Sequence, residues 1–346
     1  MTQSPDAPSA LVTGATGFVG QHVVRSLLAR HPQGRVRILA RSWPKARRLF
    51  GPDIDRIEVV QGDLTDRDTL RGICDGIDTV YHCAIAVLGT FHAGTGQDAF
   101  DAVNHRGTLH LALEAIQSRT RRFVFSSSTA AMGTPTGSHV NEDTPCNPHT
   151  PYQRSKRAAE ERLLELHKDA GLDVAIVRPC LVTGPGKDGG ELLRLFELCR
   201  KGRFPLIGAK ADVIKPLIDV VDLVQALHLA AEHADAGQIY LVHSGADHTL
   251  EQIIDVAGQI VGQRRPAVRI PKPAAWVASQ LTTPVASVLG KSPPLSPQRL
   301  RLFLTDRRID ISKARQQLGY VPQMTDLHEM LGRTYIHYVR TGQLQP

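Results

Sequence analysis

The eight residues Thr13-Gly14-Ala15-Thr16-Gly17-Phe18-Val19-Gly20 constrain this chain more than any others. They come after a short apolar run, Ala10-Leu11-Val12. They open a stretch in which Val23, Val24, Leu27 and Leu28 recur at helical spacing until Gly34. A strand passing through three spaced glycines into a helix has a physical logic. The first glycine permits a tight turn, the second lets backbone approach a pyrophosphate, and the third lets helix and strand pack closely. The helix start then offers free N–H groups and a positive dipole end to an anion. The segment reads as a dinucleotide-binding turn.

The chain beyond Gly34 fits that reading. Strands are expected at 36–40, 56–61, 79–83, 122–126 and 174–177, with helical patterns at 45–50, 66–72, 103–118 and 152–170 between them. The strands are nearly continuous apolar runs, as strands buried on both faces require. The alternation predicts an α/β fold: a Rossmann-type, doubly wound parallel sheet with helices on both faces. After Pro179 the texture changes. Gly184-Pro185-Gly186 and Gly189-Gly190 precede a helix at 191–201. A strand–helix pair at 216–231 and a strand at 238–242 are expected to return to the sheet. A helix from Thr249, a proline-rich stretch at 266–297 and a helical tail complete the chain. At 346 residues the chain exceeds what one core usually supports. We therefore expect a dinucleotide-binding domain (10–182 plus 213–246) and a smaller, mostly C-terminal α/β substrate lobe (183–212 plus 247–346). Residues 1–9 read as a disordered lead-in.

Lys plus Arg number 41 against 34 Asp plus Glu, a net charge of +7. That surplus suits nucleic acid, an anionic membrane or a phosphorylated ligand. The arginines are dispersed and no aromatic-interleaved basic stripe occurs, which argues against nucleic acid. No run reaches the roughly 18–20 apolar residues needed to span a bilayer, and the N-terminus lacks the pattern of a secretory signal. The five cysteines are scattered without C-x-x-C spacing, which argues for free thiols in the cytoplasm rather than disulfides. No histidine takes H-E-x-x-H spacing, and no metal site is expected. His82 reads as a packed strand-end residue. There is no G-x-S-x-G, so Ser244 is a turn serine.

Two clusters point to chemistry. At the end of the second strand, where an acid would bind the adenine ribose of NAD, stand Ala40-Arg41-Ser42 with Lys45 behind them. A guanidinium there suits a 2′-phosphate, so NADP(H) is favoured, with NAD(H) the alternative. Further on, Tyr152-Gln153-Arg154-Ser155-Lys156 opens a helix and puts Tyr152 and Lys156 on one face. An ammonium beside a phenol stabilises the phenolate, which equips Tyr152 to exchange protons with a carbonyl or hydroxyl oxygen. Ser126-Ser127-Ser128 ends a strand upstream and offers a hydroxyl to the same oxygen.

With these motifs the chain resembles, nearly end to end, the extended short-chain dehydrogenase/reductase family of NAD(P)-dependent epimerase/dehydratase type. Gly62-Asp63-Leu64 looks like the family's adenine-binding element, and Asn104 sits at its structural asparagine. The resemblance implies Ser128, Tyr152 and Lys156 as the catalytic set. It implies Gly14, Thr16, Gly17, Phe18, Val19, Gly20, Arg41, Lys45, Asp63, Leu64, Cys83, Ala84, Asn104, Ser126, Tyr152, Lys156, Pro179, Leu181 and Val182 as the cofactor site. Arg178-Pro179 with Gly184-Pro185-Gly186 resembles the segment around the nicotinamide. Family dehydratases carry an Asp-Glu pair just after the catalytic hydroxyl; here Thr129 and Ala130 come next, so the acids for β-elimination are missing. Pro293-Pro294-Leu295-Ser296 and the run from Asp310 to Tyr320 look like the 3β-hydroxysteroid dehydrogenase branch and its bacterial β-keto acid reductase relatives.

The expectation is an NADP(H)-dependent oxidoreductase acting on a hydrophobic ketone or secondary alcohol, as monomer or homodimer. The alternatives are an epimerase of a nucleotide-linked sugar with tightly held NAD and a non-catalytic dinucleotide sensor. Segment 274–290, with Trp276, Val277 and Leu281 and divided by Pro284, has three readings: lobe core, a lid over an apolar substrate, or a surface for peripheral membrane or partner contact.

Overall fold

A computed structural model describes residues 8–86, 99–134, 137–202, 204, 206–208, 213–263, 269–288, 300 and 305–345, with backbone only at 281–288. Seven parallel strands form the main sheet. Across it they run Gln238–Val242, Val174–Pro179, Arg122–Ser126, Thr79–His82, Ser9–Thr13, Arg35–Ala40 and Ile57–Gln61. The order reverses between Ser9–Thr13 and its neighbour Thr79–His82. In such sheets the crevice outside the strand ends at the switch point is where ligands bind.

Alternation within the strands builds a core on each face. Val12, Ile38, Val124, Val177 and Tyr240 point to one side, where helices Phe18–Arg30 and Val220–His233 cover them with Val23, Val24, Leu27, Leu223 and Leu227. Leu11, Val80, Phe123, Phe125 and Ile176 point to the other, beneath Leu111 and Ala115 of helix Gly107–Gln117 and Leu163 of helix Pro151–Ala170. A third core joins helices Gly190–Arg200, Leu250–Ile260 and Leu327–Arg340 through Phe196, Ile254, Met330 and Tyr338.

The structure departs from the sequence pattern in four places. The helix expected at 66–72 is one 3-10 turn, Arg67–Leu70, which Asp66 caps through the Asp68 N–H. The helix expected at 103–118 runs without a break from residue 99 to Gln117, but its early residues Asp101–Arg106 wind as a π-helix. Leu217–Asp219 does not return to the main sheet but pairs with Leu181–Thr183 in a separate parallel pair. The sheet edge is already taken by Gln238–Val242, which runs in register with 175–179 along its whole length. Lastly, helix Lys272–Val288 continues through Pro284, which costs it a backbone bond without ending it. Of the expected lead-in, residues 1–7 lie outside the described residues, and Ser9 already belongs to the first strand. Among the described residues no helix is long and apolar enough to cross a membrane, and no His, Cys, Asp and Glu cluster could hold a metal.

One buried histidine ties the centre of the sheet together. Thr108 Oγ1 donates to the Asn104 carbonyl at 2.7 Å, so it accepts from His82 Nε2–H at 2.8 Å. Nδ1 of His82 then accepts from the Thr13 hydroxyl at 2.6 Å. Burial drives His82 down to about 3, with the Lys156 charge adding to it, so the ring is neutral. The unfolded ring titrates near 6.5. This residue's contribution to stability is therefore full above pH 6.5 and is lost as pH falls toward 3. His82→Leu is expected to lower stability by about 1–3 kcal/mol at pH 7 and to flatten the acid slope, read from urea unfolding at pH 7 and 5. An unchanged midpoint at pH 7 would refute this role.

Candidate active site

The glycine turn adopts the geometry its sequence requires. Gly14 has φ +68°, and a Cβ there would lie 2.6 Å from the backbone of Ala84. Its carbonyl accepts the Gly17 N–H at 2.9 Å, closing the turn. A Cβ on Gly20 would strike that same carbonyl. Helix Phe18–Arg30 begins with no side chain capping its first N–H groups and no acid in its first turn. An uncapped helix start beneath a glycine turn, at the switch point of the sheet, fits a pyrophosphate. The Cys83 N–H donates to the Thr13 carbonyl at 3.2 Å, which brings the Cys83-Ala84 junction against the turn, and burial pushes the Cys83 thiol to about 12.

Arg41 directly succeeds strand Arg35–Ala40 and is 78 % exposed, its guanidinium 3.9 Å from Asp63. Asp63 Oδ1 is engaged by the N–H and hydroxyl of Thr65 at 2.9 and 2.8 Å. Leu64 is buried against Gly107. Ser42 caps helix Trp43–Phe50 by accepting the Lys45 N–H, which leaves the Lys45 side chain on the exposed first turn.

The second cluster stands at the end of strand Arg122–Ser126 and the start of helix Pro151–Ala170. Thr150 and Gln153 form a capping box around Pro151, which fixes the start of helix Pro151–Ala170 and thereby Tyr152 in its first turn. The Ser128 hydroxyl faces the Tyr152 phenol closely enough to favour its ionised form. Ser128 Oγ accepts the Ala130 N–H at 3.1 Å. Burial pushes the Tyr152 phenol up to about 12, and the nearby Ser128 hydroxyl pulls it back. The Phe100 ring meets Tyr152 edge-on at 6.0 Å. Lys156 is 1 % exposed. Its Nζ donates to the Ser126 carbonyl at 3.0 Å and lies 4.1 Å from the centre of the Phe125 ring. Burial lowers Lys156 to about 8, against the charge of Glu160, which raises it. Asn104 clamps both backbone groups of Ala86, at 2.7 and 3.1 Å, and donates to Ser155 Oγ at 3.0 Å. Ser155 Oγ in turn donates to the Tyr152 carbonyl at 2.9 Å.

Beyond the sheet, Pro179 pairs with Val242, and Leu181 and Val182 belong to strand Leu181–Thr183. The Val182 carbonyl accepts Lys187 Nζ at 3.0 Å, which lies 5.9 Å from the Phe18 ring. Helix Phe18–Arg30 holds the next turn through His22 to the Pro185 carbonyl at 2.8 Å. Helix Leu327–Arg340 holds it through Thr334 to the Gly184 N–H at 2.8 Å.

Two features of the site escape a reading of the sequence: Lys187, and the fully buried ion pair between Glu160 and Arg178. The ion pair has a sequence signal. Tyr152, Lys156 and Glu160 repeat at i+4 on one helix stripe, and Arg178 interrupts an otherwise apolar strand.

The model of the NAD dependent epimerase/dehydratase family matches residues 10–242. The chain belongs to that family. It is an extended short-chain dehydrogenase/reductase and an NAD(P)-dependent oxidoreductase. It is 33 % identical to "Sterol demethylase protein B" of Methylococcus capsulatus, over 92 % of this chain and 94 % of that one. It is 30 % identical to a "3 beta-hydroxysteroid dehydrogenase/Delta 5→4-isomerase" of Mycobacterium tuberculosis, over 91 % and 86 %. Among solved structures it is similar to a dTDP-glucose 4,6-dehydratase of Streptomyces venezuelae with NAD bound. That match has a TM-score of 0.76 and 26 % identity, over 98 % of this chain and 99 % of that one.

Gly14→Ala forces a left-handed φ on a side chain and drives it into Ala84. It should weaken dinucleotide binding by about tenfold or more, measured by titration calorimetry. Undiminished affinity would mean that the turn does not cradle the pyrophosphate.

Proposed function

We propose that the chain is an NADP(H)-dependent oxidoreductase that transfers hydride between nicotinamide and a hydrophobic ketone or secondary alcohol. The observation that carries this reading is that Ser128 faces Tyr152 at the strand end whose Ser126 carbonyl holds Lys156, in a sheet whose switch point carries an uncapped glycine turn. The bound nicotinamide supplies or accepts the hydride at its C4. Ser128 orients the substrate oxygen. Tyr152, held as a phenol through neutral pH by burial, gives its proton to that oxygen in the reductive direction. Lys156 offers its ammonium as the phenolate forms and would hold the cofactor ribose.

Three further observations support the finer reading. Arg41 stands exposed where an acid would bind a free ribose, and Asp63 is occupied by its own turn, so a 2′-phosphate meets a cation there. Thr129 and Ala130 come after Ser128, which removes the acids that β-elimination needs. Relatives named for sterol and steroid chemistry favour a bulky apolar substrate.

Tyr152→Phe should cut turnover by roughly 10²-fold or more while dinucleotide binding persists, measured as NADPH oxidation with a panel of steroid, alicyclic and β-keto substrates. A fully active Phe variant would overturn the assignment. Arg41→Ala should raise KM for NADPH several-fold and leave KM for NADH unchanged; equal effects on both would remove the argument for the 2′-phosphate.

A further inference from the structure

The ion pair behind the catalytic cluster takes no direct part in hydride or proton transfer. Glu160 lies one turn beyond Lys156 on helix Pro151–Ala170 and is completely buried. Arg178, on strand Val174–Pro179, grips it with both arms of its guanidinium, Nε to Oε1 at 2.9 Å and a terminal nitrogen to Oε2 at 2.7 Å. Ser127 Oγ donates to Oε1 at 2.5 Å, and Arg157 approaches Oε2 at 3.7 Å. Ser127 lies between Ser126, whose carbonyl binds Lys156, and Ser128, whose hydroxyl faces Tyr152. One carboxylate thus fixes the strand end that carries both partners of the tyrosine–lysine pair.

The charges around Lys156 give the carboxylate a second effect. On its own helix Glu160 faces Lys156 from one turn further on, and Tyr152 stands one turn before it. From strand Thr79–His82 and its end come His82 and Cys83. From strand Arg122–Ser126 come the Phe125 ring and the Ser126 carbonyl. His82 is neutral, and both the Cys83 thiol and the Tyr152 phenol keep their protons at neutral pH. Among the described residues facing Lys156, Glu160 is therefore the one carrying negative charge.

We propose that Glu160 is a positioning residue for the reaction: anchored by Arg178, it fixes the Ser126–Ser128 strand end and supplies the negative charge that keeps Lys156 an ammonium. It touches neither substrate nor cofactor and acts through Lys156 and the two serines. Without its charge, Lys156 surrenders its proton at lower pH, and the phenolate left by proton donation loses its support.

The test is the pH dependence of kcat/KM for NADPH-dependent reduction, in the full-length enzyme and three variants. The parent should lose activity above about pH 8, where Lys156 titrates. Glu160→Gln keeps the shape but removes the charge, and its alkaline limb should move to lower pH by roughly one unit or more. Glu160→Asp keeps the charge, and its limb should stay with the parent whatever happens to kcat. If Glu160→Gln does not fold because Arg178 is left unpaired, the neutral double variant Glu160→Gln/Arg178→Met should move the limb in the same acidward direction but by less, because the Arg178 charge leaves with that of Glu160. A limb that stays in place in the neutral variants overturns the proposal, as does a limb that moves equally in Glu160→Asp. The inference rests on the proposed roles of Tyr152 and Lys156 in proton transfer. An active Tyr152→Phe enzyme defeats those roles, whereas an inactive one combined with an unmoved limb defeats only Glu160.

Discussion

The contact on which the rest depends is the close approach of the first turn to the end of strand Thr79–His82. Gly14 meets the Ala84 backbone with no room for a Cβ, and Thr13 in the same turn bonds His82. From there the bonds run on without a break. His82 reaches Thr108, Thr108 reaches Asn104, Asn104 reaches Ser155, and Ser155 holds the Tyr152 carbonyl. The turn that faces the dinucleotide and the helix that carries the tyrosine are thus two ends of one buried polar chain. Such a chain fixes geometry only when every member is satisfied, and a neutral His82 with one donor and one acceptor satisfies it.

The same economy governs the charges. Burial works against Lys156 as an ammonium and against Tyr152 as a phenolate, so the site holds one group close to titration and the other firmly protonated. That state suits a proton donor awaiting a carbonyl. Glu160 and Arg178 extend the arrangement one layer deeper and join strand, helix and serine run at a single buried pair.

The sequence reveals these features unevenly, for physical reasons. The glycine turn and the Tyr152–Lys156 pair are set by local spacing, and both are readable from a few adjacent residues. Asn104 and Ser128 take their meaning from family resemblance, because each acts through partners distant in the chain. The Thr13–His82 bond spans 69 residues and the Glu160–Arg178 pair spans 18, so neither is visible in a local window. Leu217–Asp219 has the composition of a sheet strand, yet it pairs elsewhere because Gln238–Val242 holds the edge. The long helix Lys272–Val288 shows the limit of a breaker rule, since a single proline inside it removes a bond without ending it.

The central claim is that hydride passes between a nicotinamide and a carbonyl carbon at this site and that the cofactor leaves changed. Reduction of an apolar ketone with NADPH carrying deuterium on either face of C4, read by mass spectrometry of the product, tests it most directly. One of the two labelled cofactors should place a single deuterium on the carbinol carbon, with one cofactor oxidised per alcohol formed. Substrate conversion with no deuterium in the product from either cofactor, and no net cofactor consumed, would contradict it.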